Sequence, residues 1–435
     1  MNATLSAREL AFQSLTRHEK NNGFSNLELD NALKRNPLPP NEKSLFTVLF
    51  YGVLEKSITL DHWIARLCDT SHTLSLPVRT ALRLGLYQLA FMDRIPQNAA
   101  VNESVNLVKK TSEHRAASLV NAVLRRACRM DLGQTLKEMA KEPACWSVAY
   151  SYPQWMIDLW LNAYGSDGTR RILEEQNKPA PLCLCVNTLK TTLTQAKKEL
   201  EMEGAQVQTV EDLPRALIVT NNFAIGKSRA LSQGHVFVQD LASQRASQLL
   251  APAPGDRVMD ICCCPGGKSF HAAILMENLG TLRAFDLHSS KLSLVEKGAE
   301  KMGIQILEAQ VNNGTVPYAD WDGWADKIIC DVPCSGLGVI AKKPDIRQKN
   351  SQDIERLPSI QAQILQTSSR YLKPGGTLLY STCTLNPAEN QDITNTFLNN
   401  NPQFHRVQEL GMPLTIFPKG STNDGFFIDL IRRDK

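Results

Sequence analysis

Asp260-Ile261-Cys262-Cys263-Cys264-Pro265-Gly266-Gly267-Lys268 decides how the second half of this chain reads. A β-like run, residues 257–262, ends inside it, and residues 268–277 fit a helix. Adjacent glycines between strand and helix let the backbone turn tightly and approach a ligand. The first helical turn then presents unpaired N–H groups. A second β-like run, 281–286, ends in Asp286 about 20 residues past the glycines, where a carboxylate suits ribose hydroxyls. Outward from here, strands fit 235–239, 304–309, 327–331, 377–382 and 426–431, with helices at 290–302, 353–372 and 388–399. Strand and helix in alternation predict a Rossmann-like, doubly wound α/β sheet, largely parallel, with the last strand adding antiparallel.

Two more of these strands run into cysteine loops: Asp331-Val332-Pro333-Cys334-Ser335-Gly336 and Tyr380-Ser381-Thr382-Cys383-Thr384. In an open α/β sheet, ligands and catalytic groups meet at the carboxyl ends of the strands. Two thiols, the Asp331 carboxylate and the glycine turn therefore share one rim. That set suits an enzyme that holds a nucleotide-like cofactor and attacks a second substrate with a thiolate. Cys262, Cys263 and Cys264 read differently. Three adjacent side chains cannot converge on one ion, and no C-x-x-C pair occurs, so no metal site is expected. Buried small apolar residues are the better reading of most of the triplet.

The remaining chain sets the frame. At 435 residues, two or three domains are expected. Residues 1–130 read as a helical bundle, with apolar positions at helical spacing in Ala7, Leu10, Ala11 and Leu15 and again in Leu45, Leu49, Val53 and Leu54. Residues 131–165 are irregular and rich in aromatics, and a small α+β segment extends the connector to 233. The α/β domain occupies 234–435. The first 130 residues carry a net charge of +6 and the rest −2, which fits either a nucleic-acid partner for the helical part or a solvated helical surface. No apolar run nears the roughly 20 residues that cross a bilayer. Eleven cysteines without a leader-like N-terminus point to a reduced, cytoplasmic protein with no membrane association.

The motifs together carry a resemblance. D-x-C-x-x-P-G-G-K, D-x-P-C-S-G and S-T-C-T with P-x-E-N resemble the RsmB/Sun-type RNA cytosine-5 methyltransferases, which use S-adenosylmethionine. Gln239-Asp240-Leu241-Ala242-Ser243, Lys343-Pro344-Asp345-Ile346 and Asp424-Gly425-Phe426-Phe427 agree with that family. The helical part resembles the RNA-binding domain shared with the antitermination factor NusB, in Leu84-Gly85-Leu86-Tyr87-Gln88-Leu89, Pro96-Gln97-Asn98-Ala99-Ala100-Val101 and Leu119-Val120-Asn121-Ala122-Val123-Leu124-Arg125. The resemblance implies methylation of C5 of a cytosine in small-subunit (16S) rRNA, free or in an assembly intermediate, with no obligate protein partner. It makes Cys383 the nucleophile, Cys334 the group that assists product release, and Asp331 the partner of the cytosine ring. Cys262, Cys263, Cys264, Pro265, Gly266, Gly267 and Lys268 would hold the cofactor, with Asp286 on its ribose and Asn313 near its adenine. Asp331 borders the same pocket. The chain departs from the family where Cys263 and Cys264 replace alanines, where Asn313 replaces an aspartate, and where Gln348 stands near an expected aromatic. A tRNA substrate, or a catalytically weak RNA-binding assembly factor, are the alternative readings. The Asn313 replacement favours the weak factor, and retention of Cys334, Cys383 and Asp331 disfavours it.

Overall fold

The computed structural model describes residues 5–21, 25–69, 73–180, 182–420 and 422–435. The chain forms two compact units, one of residues 1–169 with Lys343–Lys349, the other of Arg170–Lys342 with Asn350–Lys435.

The first unit is helical. Its helices include Ala7–Asn21, Pro40–Glu55, Ser57–Leu67, Leu76–Phe91, Gln97–Lys109 and Ala117–Ala127. The apolar stripe of the first helix behaves as its spacing predicts, with Ala7, Leu10, Ala11 and Leu15 all buried beside Phe46, Phe50, Trp63 and Leu82. Proline opens three of these elements or stands just before them: Pro40, Pro77 and Pro96. Each sits where the missing N–H has no helical partner to lose.

Residues 131–165, expected to be irregular, are largely helical: Leu132–Met139, Trp146–Tyr150, and a long helix Gln154–Gln176 broken at Gly165 (φ 67°, ψ −176°). Tyr152, Met156, Ile157 and Trp160 are buried at helical spacing, so the aromatics that obscured the period are core residues.

Lys343–Lys349 docks on this helical unit by specific bonds. The Arg347 guanidinium, almost wholly buried, donates to the carbonyls of Glu55 (3.1 Å), Tyr150 (3.1 Å) and Ser151 (3.3 Å) and to the Tyr152 hydroxyl (3.2 Å), and lies 4.1 Å from the Tyr152 ring centre. The Asp345 carboxylate accepts from the Ser25 amide (3.1 Å), and Gln348 meets His18 at 3.2 Å.

The second unit has two sheets. The smaller is antiparallel, with β1 (Leu182–Val186), β2 (Val207–Val210), β3 (Leu213–Val219) and β4 (Val236–Val238) in the order β2-β3-β1-β4. The 235–239 run was expected to open the α/β sheet. Instead β4 pairs with β1 (Leu184 opposite Val238), because a three-residue strand carries no signal of which sheet will take it.

The larger sheet holds β5 (Arg257–Asp260), β6 (Thr281–Asp286), β7 (Leu307–Val311), β8 (Ala325–Asp331), β9 (Leu372–Thr382), β10 (Phe404–Arg406), β11 (Leu414–Ile416) and β12 (Phe426–Arg433). Its order is β10-β12-β9-β8-β5-β6-β7, with β11 on β12. Strands β5 to β9 run parallel, and β12 returns antiparallel against β9. Val258, Met259, Ile328, Ile329, Leu378 and Leu379 are buried, as a sheet covered on both faces requires. The multidomain class, helical then α/β, is the one the sequence predicts. Among the described residues no helix is long and apolar enough to cross a membrane.

Candidate active site

The chain leaves β5 toward β6 and β7 on one side and reaches β8 and β9 on the other, so the crevice outside β5 and β8 is a topological switch point. The candidate residues gather along this rim. Register sets them: Asp260 lies opposite Ile329, and Asp331 opposite Ser381.

The glycine turn follows β5. Gly266 adopts φ 108°, and a Cβ there would stand 2.4 Å from the Phe270 ring, so only glycine fits. It precedes helix Gly267–Leu275. The Cys263 amide donates to the Phe285 carbonyl (2.8 Å), tying the turn to β6. Cys263 itself is buried in the apolar core, while Cys262 and Cys264 are half-buried and Pro265 is exposed. Burial pushes all three thiols up, so the triplet stays protonated. What it offers a ligand is backbone.

Asp260 is fully buried. Its Oδ2 accepts from Ser269 Oγ (2.6 Å), its Oδ1 has no partner, and burial pushes its carboxyl up to about 7. Lys268 points along the rim, its Nζ 2.7 Å from Asp331 Oδ2 and 5.0 Å from the Phe426 ring centre. The other Asp331 oxygen accepts from Ser381 Oγ (2.8 Å).

Asp286 is buried at the end of β6, where Oδ1 accepts the His288 amide (2.9 Å). Asn313 is exposed, and its Oδ1 accepts from the Thr315 amide (3.1 Å) and hydroxyl (2.8 Å), a closed local turn. Its neighbour Asn312 is buried, its amide bound to the Asp286 carbonyl (3.1 Å), and neither side-chain polar atom has a partner.

The two thiols meet. Cys334 Sγ is 3.4 Å from Cys383 Sγ. The hydrogen bond with Cys383 and then burial push the Cys334 thiol well above its ordinary value. Behind them the loops are laced together. The Gly338 amide donates to the Cys383 carbonyl (3.0 Å) and the Gly425 amide to the Gly338 carbonyl (2.8 Å), an approach so close that a Cβ on Gly338 would lie 2.1 Å from the Gly425 oxygen. Lys342 bridges Asp240 (2.9 Å) and Asp424 (2.7 Å), which joins two of the sequence marks. Glu389 and Asn390 are fully buried behind the cysteine loops. In the sequence P-x-E-N is only a pattern and gives these two side chains no role.

Residues 247–432 match the family model described as 16S rRNA methyltransferase RsmB/F, residues 5–129 the NusB family, and residues 152–226 a ferredoxin-like domain of RsmF/B-like methyltransferases. The chain is 32% identical to the probable ribosomal RNA small subunit methyltransferase B of Bacillus subtilis, over 98% of this chain and 99% of that one. Its identity to the Synechocystis protein of the same description is also 32%, over 99% and 100%. Among solved structures, PH0851 is 25% identical with a TM-score of 0.80 over the whole of both chains. A methyltransferase homolog from Pyrococcus horikoshii is 26% identical with a TM-score of 0.58, over 68% of this chain and 99% of that one. Similarity at that level over the full length means that this chain belongs to the ribosomal RNA small subunit methyltransferase B family.

Proposed function

We propose that this protein methylates C5 of a cytosine in small-subunit rRNA, in the cytoplasm, through a covalent bond between Cys383 and C6 of the base. The observation that carries the reading is the thiol pair, 3.4 Å apart, on the rim beside Asp331. C5 of cytosine is a poor nucleophile. A thiolate added at C6 makes C5 electron-rich, and a second group must then help the adduct break down. One reacting thiol does not explain two. A pair does: Cys383 adds to C6, and Cys334, 3.4 Å from it, is placed to assist the breakdown of the adduct. Asp331, held by Lys268 and Ser381, is placed to hydrogen-bond the cytosine ring as charge builds there.

S-adenosylmethionine, when bound, supplies the methyl group on a sulfonium. The residues present fit it. Gly266 leaves the backbone bare at the turn, Asp286 carries a buried carboxylate for ribose hydroxyls, and Asn312 holds an amide group with no protein partner. Asn312, not Asn313, is therefore the residue we assign to the adenine. The backbone of 262–268 lines the same side, and the Lys268 side chain is spent on Asp331. The target base must leave its stack, at a cost of roughly a few kcal/mol. The test is bisulfite sequencing of rRNA and tRNA from cells with and without the protein. Loss of one cytosine-5 mark in 16S rRNA is the expected result. A mark lost from tRNA alone, or none lost, overturns the reading.

A further inference from the structure

Cys334 and Cys383 follow two different strands, so their 3.4 Å separation depends on something that spans both loops. Glu389 does so. Its carboxylate is fully buried and accepts four hydrogen bonds, two on each oxygen. Oε1 takes Ser335 Oγ (2.5 Å) and Asn386 Nδ2 (2.9 Å). Oε2 takes the Ser335 amide (2.8 Å) and Gln361 Nε2 (2.9 Å). Ser335 adjoins Cys334, and Asn386 lies in the turn after Cys383. Gln361, from helix Leu357–Tyr371, also holds the Pro333 carbonyl (2.9 Å).

An ionised carboxylate is an acceptor only, with room for about four hydrogen bonds, and here every donor points at it. All four donors are uncharged, although a buried charge is normally matched by a cation. Filling the same space needs no charge. What the charge adds is stronger bonds to both loops. Around it Ser335 Oγ meets Thr384 Oγ1 (2.6 Å), Asn390 Nδ2 donates to the Thr384 carbonyl (3.0 Å) and Thr382 Oγ1 donates to Asn390 Oδ1 (2.6 Å).

We infer that Glu389 is a positioning residue: its carboxylate clamps the Cys334 loop to the Cys383 loop and so fixes the separation of the two thiols. The inference rests on the reading of both cysteines as reacting groups. It is tested first without RNA or cofactor. Phenylarsine oxide joins two nearby thiols to one arsenic and releases its oxygen as water. The full-length protein should be captured across Cys334 and Cys383, as mapped by mass spectrometry. Glu389→Gln should slow that capture at least tenfold, roughly the scale set by losing charged hydrogen bonds, while Cys383 still reacts with iodoacetamide. In turnover with tritiated S-adenosylmethionine and transcribed 16S rRNA, kcat should fall about a hundredfold, the effect of misplacing a reacting group by about an ångström, with cofactor affinity unchanged. Glu389→Asp, which keeps the charge, should recover part of both. Should Glu389→Gln not fold, Ser335→Ala removes one donor and should give a smaller loss of capture and of kcat. Wild-type capture and kcat in a folded Glu389→Gln, or in Ser335→Ala where that stands in for it, overturn the inference. Normal wild-type capture, lost in the variant, with no methylation of any RNA by the wild type would leave the clamp standing and remove the proposed function.

Discussion

Lys268 Nζ lies 2.7 Å from Asp331 Oδ2, so the glycine turn after β5 and the cysteine loop after β8 are joined by one buried ammonium. Asp331 is thereby fixed by groups from two elements, Lys268 in helix Gly267–Leu275 and Ser381 in β9. Removing a charge-assisted hydrogen bond costs about 1.5–3 kcal/mol. Lys268→Met should therefore lower kcat roughly ten- to a hundredfold, with a smaller effect on the dissociation constant of the cofactor. Steady-state kinetics beside calorimetry checks this, and an unchanged kcat would mean that Lys268 only packs.

The thiols should fail in different ways. Cys383→Ala should abolish methyl transfer and leave cofactor binding intact, because it removes the proposed nucleophile. Cys334→Ala should instead accumulate a protein–RNA adduct that survives a denaturing gel, because the step proposed for it comes after transfer. Full turnover by Cys383→Ala, or normal turnover by Cys334→Ala with no adduct, removes the corresponding role.

Asn312 and Asn313 separate two readings of one motif. The exposed Asn313 closes a turn on Thr315, whereas Asn312 is buried with both amide atoms unpartnered. Asn312→Ala should weaken cofactor binding by roughly 1–3 kcal/mol, the value of a lost hydrogen bond at a buried site. Asn313→Asp should change it little. Titration calorimetry that shows the reverse order would return the adenine to Asn313.

These contrasts show what the sequence can carry. Strand ends and glycine turns are local, so Asp260, Gly266, Asp286, Asp331, Cys334 and Cys383 were legible from hydrophobic runs and their punctuation. Their convergence on one rim follows from parallel order alone. Glu389 was not legible, because its worth lies in partners 54 and 28 residues away. Nor was the placement of Lys343–Lys349, which joins the helical unit through Arg347 and carbonyls that no side-chain pattern reveals. The proposed choice of Asn312 over Asn313 rests on which amide the local turn consumes, a matter of partners rather than of pattern.

Asp260 makes stability depend on pH. Burial raises its carboxyl from 3.8 to about 7. Between about pH 4 and 7 the folded protein keeps a proton that the unfolded chain has released. Stability contributed by this group is thus lost as pH rises through that window, and the loss levels off above about 7. Asp260→Asn keeps an acceptor for Ser269 and cannot ionise. It should be more stable than the wild type at pH 8, by up to roughly 4 kcal/mol on a shift from 3.8 to about 7, and the two should converge near about pH 4. Urea unfolding at both pH values measures this. A variant less stable at pH 8 would mean that the carboxylate is favoured where it sits.

The helical unit should grip RNA through three cations. Lys109 and Arg125, on helices Gln97–Lys109 and Ala117–Ala127, and Arg129, just past the second helix, line two adjoining grooves among Asn102, Asn106 and Asn121, and no carboxylate lines either groove. Arg125 Nε is steadied by Asn121 Oδ1 at 3.1 Å. Lys110, just past the first of these helices, and Arg126, in the second, are already engaged, with Glu9 and with the Leu67 carbonyl. Deleting residues 1–130 would be a poor test, because it also strips Glu55 and Ser25 from Arg347 and Asp345. Substituting Lys109, Arg125 and Arg129 with alanine leaves that docking intact. Each phosphate contact on a single strand contributes about −0.7 to the slope of log affinity against log salt, so the triple variant should flatten the slope by about 2. Affinity should fall with it, and the dissociation constant for S-adenosylmethionine should not. Lys110→Ala with Arg126→Ala should change the slope less. Anisotropy titrations across a salt series read both, and equal slopes for wild type and triple variant would make these cations a solvated face.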